Sequence, residues 1–519
     1  MADVSRREFF WGALALAGLG MASGPWPARA SDRRALPIPP ELRADAKGEI
    51  ALHAQTGQRQ FVAGRSTATY GINGPFLGPA IRVRRGERVV MKVTNGIGED
   101  ITMHWHGLKI PGDVDGSPYT VIHPGKTWMP TLRIAQPAAT CWFHPHFYPS
   151  TAEQVIKGLA GLFLIDDEES DALGLPSHWG VDDIPLVLQD RRFNADGSFF
   201  HRFNLVAVTA GYIGDTMLIN GAPYPEAQTA RGWLRLRLLN GSNARSYRLA
   251  FSDKRPMFVV ASDGGLLAEP VRLDELMLSA GERYEVLVDG RDGKDFDLVT
   301  RPVEQMAMNL PPFHTELPLV TFHPRGTEGK GRLPDNLVQL PPLIADLPPA
   351  SQNLVVGMRL DEAGMGVLKD AGLMTFNMAR EVDPALVAAI SKAITHTAAL
   401  PLEQQLSANT INGEPFRMDV VPFSAPLNTD LRWVLSEGSD RMLHPVHIHG
   451  CQFRILSLKG TAPPAHMAGW KDTAPVAKGD RCEIQVRFEH PAAKEAPFMA
   501  HCHILEHEDS GMMTNFSVA

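Results

Sequence analysis

An all-β chain built of three β-sandwich domains is the architecture this sequence predicts, and three observations carry the prediction. The first is punctuation: 46 glycines and 41 prolines in 519 residues cut the chain into short runs, which favours strands and turns over long helices. The second is a phrase that occurs three times, as "INGPFLGPAIRVRRGERVVMKVTNG" from Ile72, "INGAPYPEAQTARGWLRLRLLNGS" from Ile219 and "INGEPFRMDVVPFSAPLNTDLRWVLSEGS" from Ile411. Each copy is Asn-Gly, a nearby proline, a polar connection and a strand with period-two alternation that ends in a turn. Their wide, irregular spacing predicts three related sandwiches, not a short-period solenoid. The third observation is that "GLAGLFLIDD", "RYEVLVDG" and "MMTNFSVA", which lie between or after the copies, also read as strands.

The elements follow in order. Residues 1–30 read as an export signal: Arg6 and Arg7 precede a short apolar run, and "PARAS" offers a small-x-small cleavage site at Ala28 and Ala30. The run is too short to span a bilayer, so no stable membrane anchor is expected. The Ser5–Phe10 arrangement resembles a twin-arginine signal, which implies the twin-arginine export machinery as a partner and the periplasm as the destination. That route carries folded proteins, often with a cofactor already in place. The first sandwich is expected over residues 45–167, ending at the acidic "DDEESD". The second runs over 168–325, residues 326–350 form a connector, and the third covers 351–519. The stretch "DPALVAAISKAITHTAA" reads as a short helix inserted ahead of the third copy.

Composition excludes some functions. A net charge of −8 gives no basic face for nucleic acid. Four cysteines in a large exported chain are too few for a disulfide framework. Cys451 and Cys482 lie on alternating segments that could neighbour each other, as one bridge or as two buried thiols. Cys141 reads as a core residue.

The chemistry lies in the histidines. Nineteen in 519 residues predict fewer than one His-x-His pair by chance, yet the chain has four: His104/His106, His144/His146, His447/His449 and His501/His503. On a strand, residues i and i+2 point to one face, so each pair aims two imidazoles the same way. Four pairs together supply eight nitrogens, too many for one ion but suited to a cluster of three. The pairs come from opposite ends of the chain, so the cluster is expected between the first and third domains, with the middle domain as spacer and brace.

Cys502 lies between His501 and His503 and must face the other way. With His444, His507 and Met512 it forms a separate thiolate, two-imidazole and thioether set, the ligand set of a blue-copper electron-transfer site. Soft and imidazole ligands together select copper. The histidines outside these sets, such as His53, His201 and His323, read as surface or core residues.

With these motifs in view the chain resembles the bacterial multicopper oxidases, closest in pattern to exported three-domain cuprous oxidases and bacterial laccases, over essentially the whole mature chain. The resemblance implies cupredoxin-like Greek-key domains and four copper ions. Cys502, His444 and His507 would bind the type 1 copper, with Met512 axial. His104 and His447 would bind the type 2 copper, and His106, His144, His146, His449, His501 and His503 the type 3 pair. It implies four one-electron oxidations of a reducing substrate coupled to reduction of O2 to two waters. Asp115 and Glu508 match the family's proton-relay positions.

The substrate is less determined. Related cuprous oxidases carry a long Met-rich insertion, whereas here the comparable region holds only Met358, Met365, Met374 and Met378, which suit either Cu(I) contact or a buried helix stripe. Asp361 and Asp440 resemble acids near the substrate site of relatives. The short insertion favours phenols and aromatic amines with Cu(I) oxidation still open, a dedicated cuprous oxidase for copper tolerance being the alternative. A further alternative is a copper-free scaffold or division protein of the same fold. A monomer is expected, because the three domains complete the cluster without a second chain.

Overall fold

The computed structural model describes residues 34–303, 316–359, 401–438, 442–477 and 479–519. The predicted export signal, the inserted helix before the third copy, Met365, Met374, Met378, Asp361 and Asp440 lie outside the described residues. Six sheets pair into three sandwiches of the cupredoxin type, with little helix. In the first, the order Glu41–Leu42, Ala80–Arg84, Gly161–Asp166, Ala139–His144, His104–His106 faces a sheet built on Glu49–Arg59 and Arg88–Asn95. The third stacks a sheet centred on Asp430–Glu437 against one in which Met513–Val518, Phe498–Cys502 and Leu443–Ile448 run side by side. The middle sandwich has a seven-stranded and a five-stranded sheet. Each encloses its own apolar core. Among the described residues no helix is long and apolar enough to cross a membrane.

The recurring phrase is one structural device used three times. Asn73, Asn220 and Asn412 all sit at positive φ, at 57°, 51° and 56°, where asparagine is among the few tolerated side chains. In each, the side-chain carbonyl accepts from a backbone amide of a neighbouring strand: His53 at 2.7 Å, Val187 at 2.8 Å and Val355 at 2.8 Å. The asparagine's own amide donates back to the carbonyl of that same residue. Such a two-way clamp pins the turn to the strand beside it, so all three sandwiches contain the same corner.

Cys451 and Cys482 are buried free thiols, although the strands Phe453–Leu458 and Arg481–Arg487 do neighbour each other. Cys141 is buried in the first core, as its surroundings in the sequence predict.

The first and middle sandwiches meet across buried charge. Arg237 holds Asp183 through two bonds of 2.7 and 2.9 Å, and its third contact reaches Glu285 at 3.0 Å. Glu285 also takes Arg235 and, at 2.6 Å, the hydroxyl of Thr140 from the first sandwich. Burial opposes its ionisation, but Arg235 and Arg237 prevail and push the carboxyl down from 4.5 to about 2. A depressed carboxyl contributes stability that is present above the unfolded value and lost as pH falls through the folded one. Glu285→Gln leaves two buried guanidiniums short of a partner, so a loss of about 3–5 kcal/mol is expected at neutral pH. The gap between parent and variant thermal midpoints should narrow as pH falls from 4.5 towards 2. A gap that stays constant over that range would refute the assignment.

Candidate metal centre

The four histidine pairs meet where the first and third sandwiches face each other. His104–His106 is the edge strand of its sheet and pairs with Ala139–His144, placing His104 opposite His144. In the third sandwich Leu443–Ile448 pairs with Phe498–Cys502, placing His447 opposite His501. All eight rings are buried. The rings of His104 and His449 stack at 3.9 Å and those of His106 and His447 at 3.7 Å, each stack joining the two domains.

The hydrogen bonds settle which nitrogen each ring offers. A carbonyl oxygen only accepts, so a ring nitrogen bonded to one must carry the proton, leaving the other as a lone pair. His104 donates from Nδ1 to the Asp115 carbonyl at 2.9 Å, His144 to Pro145 at 2.8 Å, His447 to Asp472 at 2.8 Å and His501 to Cys502 at 3.0 Å. His449 donates from Nδ1 to the Asp115 carboxylate at 2.7 Å. These five rings therefore present Nε2. His106 is reversed: its Nε2 is held by the Asp472 carboxylate at 3.1 Å, so it presents Nδ1.

The nitrogens thus freed converge. The Nε2 atoms of His146 and His449 lie 3.3 and 3.1 Å from that of His501. Nε2 of His104, His144 and His447 and Nδ1 of His106 are buried without a protein partner. Ligand atoms of His104, His447 and His449, of His104, His106 and His144, and of His146, His449 and His501 lie within 4.8 Å of one another in each set. Burial, followed by the neighbouring imidazoles, pushes His106, His144, His146, His501 and His503 well below the ordinary histidine range, and His449 to about 3. Neutral imidazoles with inward lone pairs are the form that ligates a metal.

On the opposite face of the same strand, Cys502 Sγ lies 3.5 Å from His444 Nδ1 and 3.7 Å from His507 Nδ1. All three are fully buried and form one metal-competent set. Met512 is also buried, and its amide bonds to the His507 carbonyl at 2.9 Å, which closes the turn carrying both residues. The His507 Nε2 donates to the Thr209 carbonyl at 3.3 Å, on the short middle-domain helix Leu205–Ala210.

Two carboxyls predicted from the sequence sit at the cluster. Burial opposes ionisation of Asp115, but His104 and His449 beside it hold its carboxyl below the ordinary range. Glu508 lies 3.3 Å from Nδ1 of both His146 and His501. Met358 ends the strand Gln352–Met358 and packs, half-buried, against the third core. Sequence reasoning missed Asp472, Arg283 and the Thr209 carbonyl. Asp472 and Thr209 lie in segments that repeat no motif, and Arg283 lies in "GERYEVLVDG", which recurs as "GERVVMKVTNG" and "GDRCEIQVRF" without marking Arg283 as a partner of the cluster; all three meet the ligands only through the fold.

A thiolate set and an all-imidazole cluster, back to back on one strand, define a copper-dependent oxidase. Comparison with known proteins agrees with that class. Residues 53–170, 200–326 and 391–519 each match a domain family described as multicopper oxidase. The chain belongs to the multicopper oxidase family. It is 33% identical over 515 residues to the cell division protein FtsP of Yersinia pestis, covering 98% of this chain and 97% of that one. The laccase-like multicopper oxidase CueO of Ochrobactrum sp., described as active on lignin model compounds, superposes with a TM-score of 0.78 at 39% identity, over 93% of this chain and all of that one. A Campylobacter jejuni multicopper oxidase described as a metallo-oxidase superposes at 0.75 with 27% identity, covering 94% and 95%.

Proposed function

We propose that the protein is an exported, periplasmic oxidase that takes electrons one at a time from a reducing substrate, with Cu(I) favoured, and passes them to O2. The observation that carries this is Cys502: its thiolate joins His444 and His507 while its chain neighbours His501 and His503 belong to the imidazole cluster. The ligand atoms suit copper, because thiolate, thioether and imidazole are the donors that soft copper prefers. In this reading His444, Cys502, His507 and Met512 hold a type 1 copper. His104 and His447 hold a type 2 copper, and His106, His144, His146, His449, His501 and His503 hold a type 3 pair. Bound copper supplies one-electron redox chemistry at the first set and four-electron reduction of O2 to two waters at the second. Cys502 and its two peptide neighbours are the chain's own bridge between them. Asp115 and Glu508 supply protons.

The preference for Cu(I) over phenols rests on access. His444, Cys502, His507 and Met512 are fully buried, and the outer nitrogen of His507 is engaged by Thr209. Among the described residues, both ligand rings of this set are buried away from an aromatic donor. The likeness to a metallo-oxidase points the same way. A laccase-like activity on phenols and aromatic amines is the second reading, favoured by the likeness to the Ochrobactrum enzyme. Against a copper-free division protein, which the FtsP likeness raises, stands the convergence of Cys502 and nine of the ten proposed histidine ligands into metal-competent sets.

Oxygen uptake by the copper-loaded mature chain tests the proposal, with Cu(I) and 2,6-dimethoxyphenol compared, each with and without excess Cu(II). Fast uptake with Cu(I), and phenol turnover only with added Cu(II), is expected. Strong phenol turnover without added copper would transfer the reading to a laccase. No uptake with either substrate, in protein holding four coppers, would sink the oxidase reading.

A further inference from the structure

We propose that Arg283, from the middle sandwich, is a positioning residue for the histidine cluster, acting through Asp472. The two side chains are fully buried and joined by a fork of bonds, Nη1 to Oδ1 at 2.7 Å and Nη2 to Oδ2 at 2.5 Å. Asp472 in turn holds His106 Nε2 at 3.1 Å, and its carbonyl takes the Nδ1 proton of His447 at 2.8 Å. One residue of the third domain therefore orients a ring from each side of the cluster, and those rings are the pair stacked at 3.7 Å. Among the described paired-histidine rings bonded to a carbonyl or carboxylate oxygen, His106 is the one held at Nε2, so its bond to Asp472 makes it present Nδ1.

Arg283 is itself locked from every side. Its Nε donates to the Thr140 carbonyl at 3.0 Å in the first domain, and its remaining contacts reach the Gly281 and Asp263 carbonyls at 3.1 and 3.0 Å. Asp263 takes the Arg283 amide at 2.8 Å and the amides of Asp472 and Thr473 at 3.3 Å each. Lys471 then closes the ring on Asp263 at 3.0 Å and Glu282 at 2.6 Å. A guanidinium presents its donors in a rigid plane, so a carboxylate gripped by its fork cannot rotate. Take Arg283 away and Asp472 Oδ2 has lost its donor, leaving the carboxylate held at Oδ1 alone, by His106 and by the Thr473 hydroxyl at 2.9 Å, and so less firmly aimed at His106.

Two glycines show that the chain makes room for this arrangement. Gly107 directly follows His106 at φ 90°, and a Cβ there would lie 2.6 Å from Arg283 Nη2 and 2.9 Å from Asp472 Oδ2. Gly281, at φ 83°, would set a Cβ 2.7 Å from the ring of His503. Any other side chain at Gly107 would be strained by its backbone and would also part the pair. The middle domain thus carries part of the scaffold that aims the ligands, in addition to spacing the outer domains.

The inference rests on copper binding at the paired histidines. The test uses copper-loaded full-length protein carrying Arg283→Met or Asp472→Asn, with Arg235→Met as a control that disturbs the same buried interface but touches no ligand-bearing carboxylate. Copper per chain, the blue absorbance of the thiolate site and copper retention against a chelator are measured in each. Both test variants should keep the blue absorbance and hold the remaining copper about 10–100-fold less tightly, the usual cost of losing an outer partner of a metal-bound histidine. The control should lower the thermal midpoint and leave copper retention unchanged. Should Arg283→Met fail to fold, the near-isosteric Asp472→Asn decides. Parental retention in the folded variants, or equal loss of blue and cluster copper, overturns the positioning role. Parent protein that binds no copper at its paired histidines would overturn the proposed function as well, and so is told apart from failure of this inference alone.

Discussion

Cys502→Ser is expected to bring oxygen uptake to background with any reductant and to abolish the blue absorbance, while the copper at the paired histidines remains. Serine keeps the shape of the side chain but replaces the sulfur donor at the centre of the set with a hydroxyl oxygen, a poor ligand for soft copper. His444 and His507 converge on Sγ at 3.5 and 3.7 Å, so the site loses the ligand the other two are aimed at. The same atom is the start of the shortest chain route to the cluster, through the backbone to His501 and His503. No second thiol can replace it, since Cys141, Cys451 and Cys482 are each buried elsewhere. The cluster should survive because Asp115, Asp472 and backbone carbonyls fix its rings independently of Sγ. Copper analysis should find one ion fewer than in the parent. Retained turnover with Cu(I) in this variant would mean that electrons enter somewhere other than the thiolate set.

How much of this was legible before the structure can be judged residue by residue. The opposite facing of Cys502 and its neighbours follows from strand periodicity alone; in the structure Sγ and the His501 ring fall in separate metal-competent sets, and the His503 ring lies 5.0 Å from that of His106. The three Asn-Gly corners were legible as a repeat, though the clamp each asparagine forms needs a partner strand that local pattern does not name. Asp115 and Glu508 came from resemblance, and both stand beside ligand rings. Asp472 and Arg283 were not legible. Asp472 lies in "GWKDTAPV", an ordinary strand entry, and its partner is 189 positions away in another domain. A ligand pair is written in neighbouring residues because one strand aims both rings. The groups that orient those rings are drawn from whichever element packs behind them, and spacing carries no trace of that.

Glu508→Gln is expected to cut steady-state oxygen uptake by about 10²–10⁴-fold, the usual range for removing a positioned proton donor. The carboxyl is fully buried and 3.3 Å from ring nitrogens of two cluster histidines on different domains. Burial, with Asp509 and Glu506 beside it, pushes it well above the ordinary carboxylate range. A group that keeps its proton at this point can deliver one where oxygen is reduced, and glutamine fills the same space without a proton to give. Architecture should be preserved. The segment is held by Asp509, which accepts from the Thr151 and Ala152 amides at 3.1 and 2.8 Å, and by Glu506, which accepts from Tyr212 and Asn243 at 2.9 and 2.8 Å. None of these bonds uses Glu508. The variant should therefore keep its full copper complement and its blue absorbance, and substrate added without oxygen should bleach the blue colour as fast as in the parent. The defect should appear only when oxygen is admitted, as slow return of the colour. Bleaching slowed as much as turnover would place Glu508 in electron entry. Parental turnover would remove it from the reaction and leave Asp115 as the carboxyl to test next.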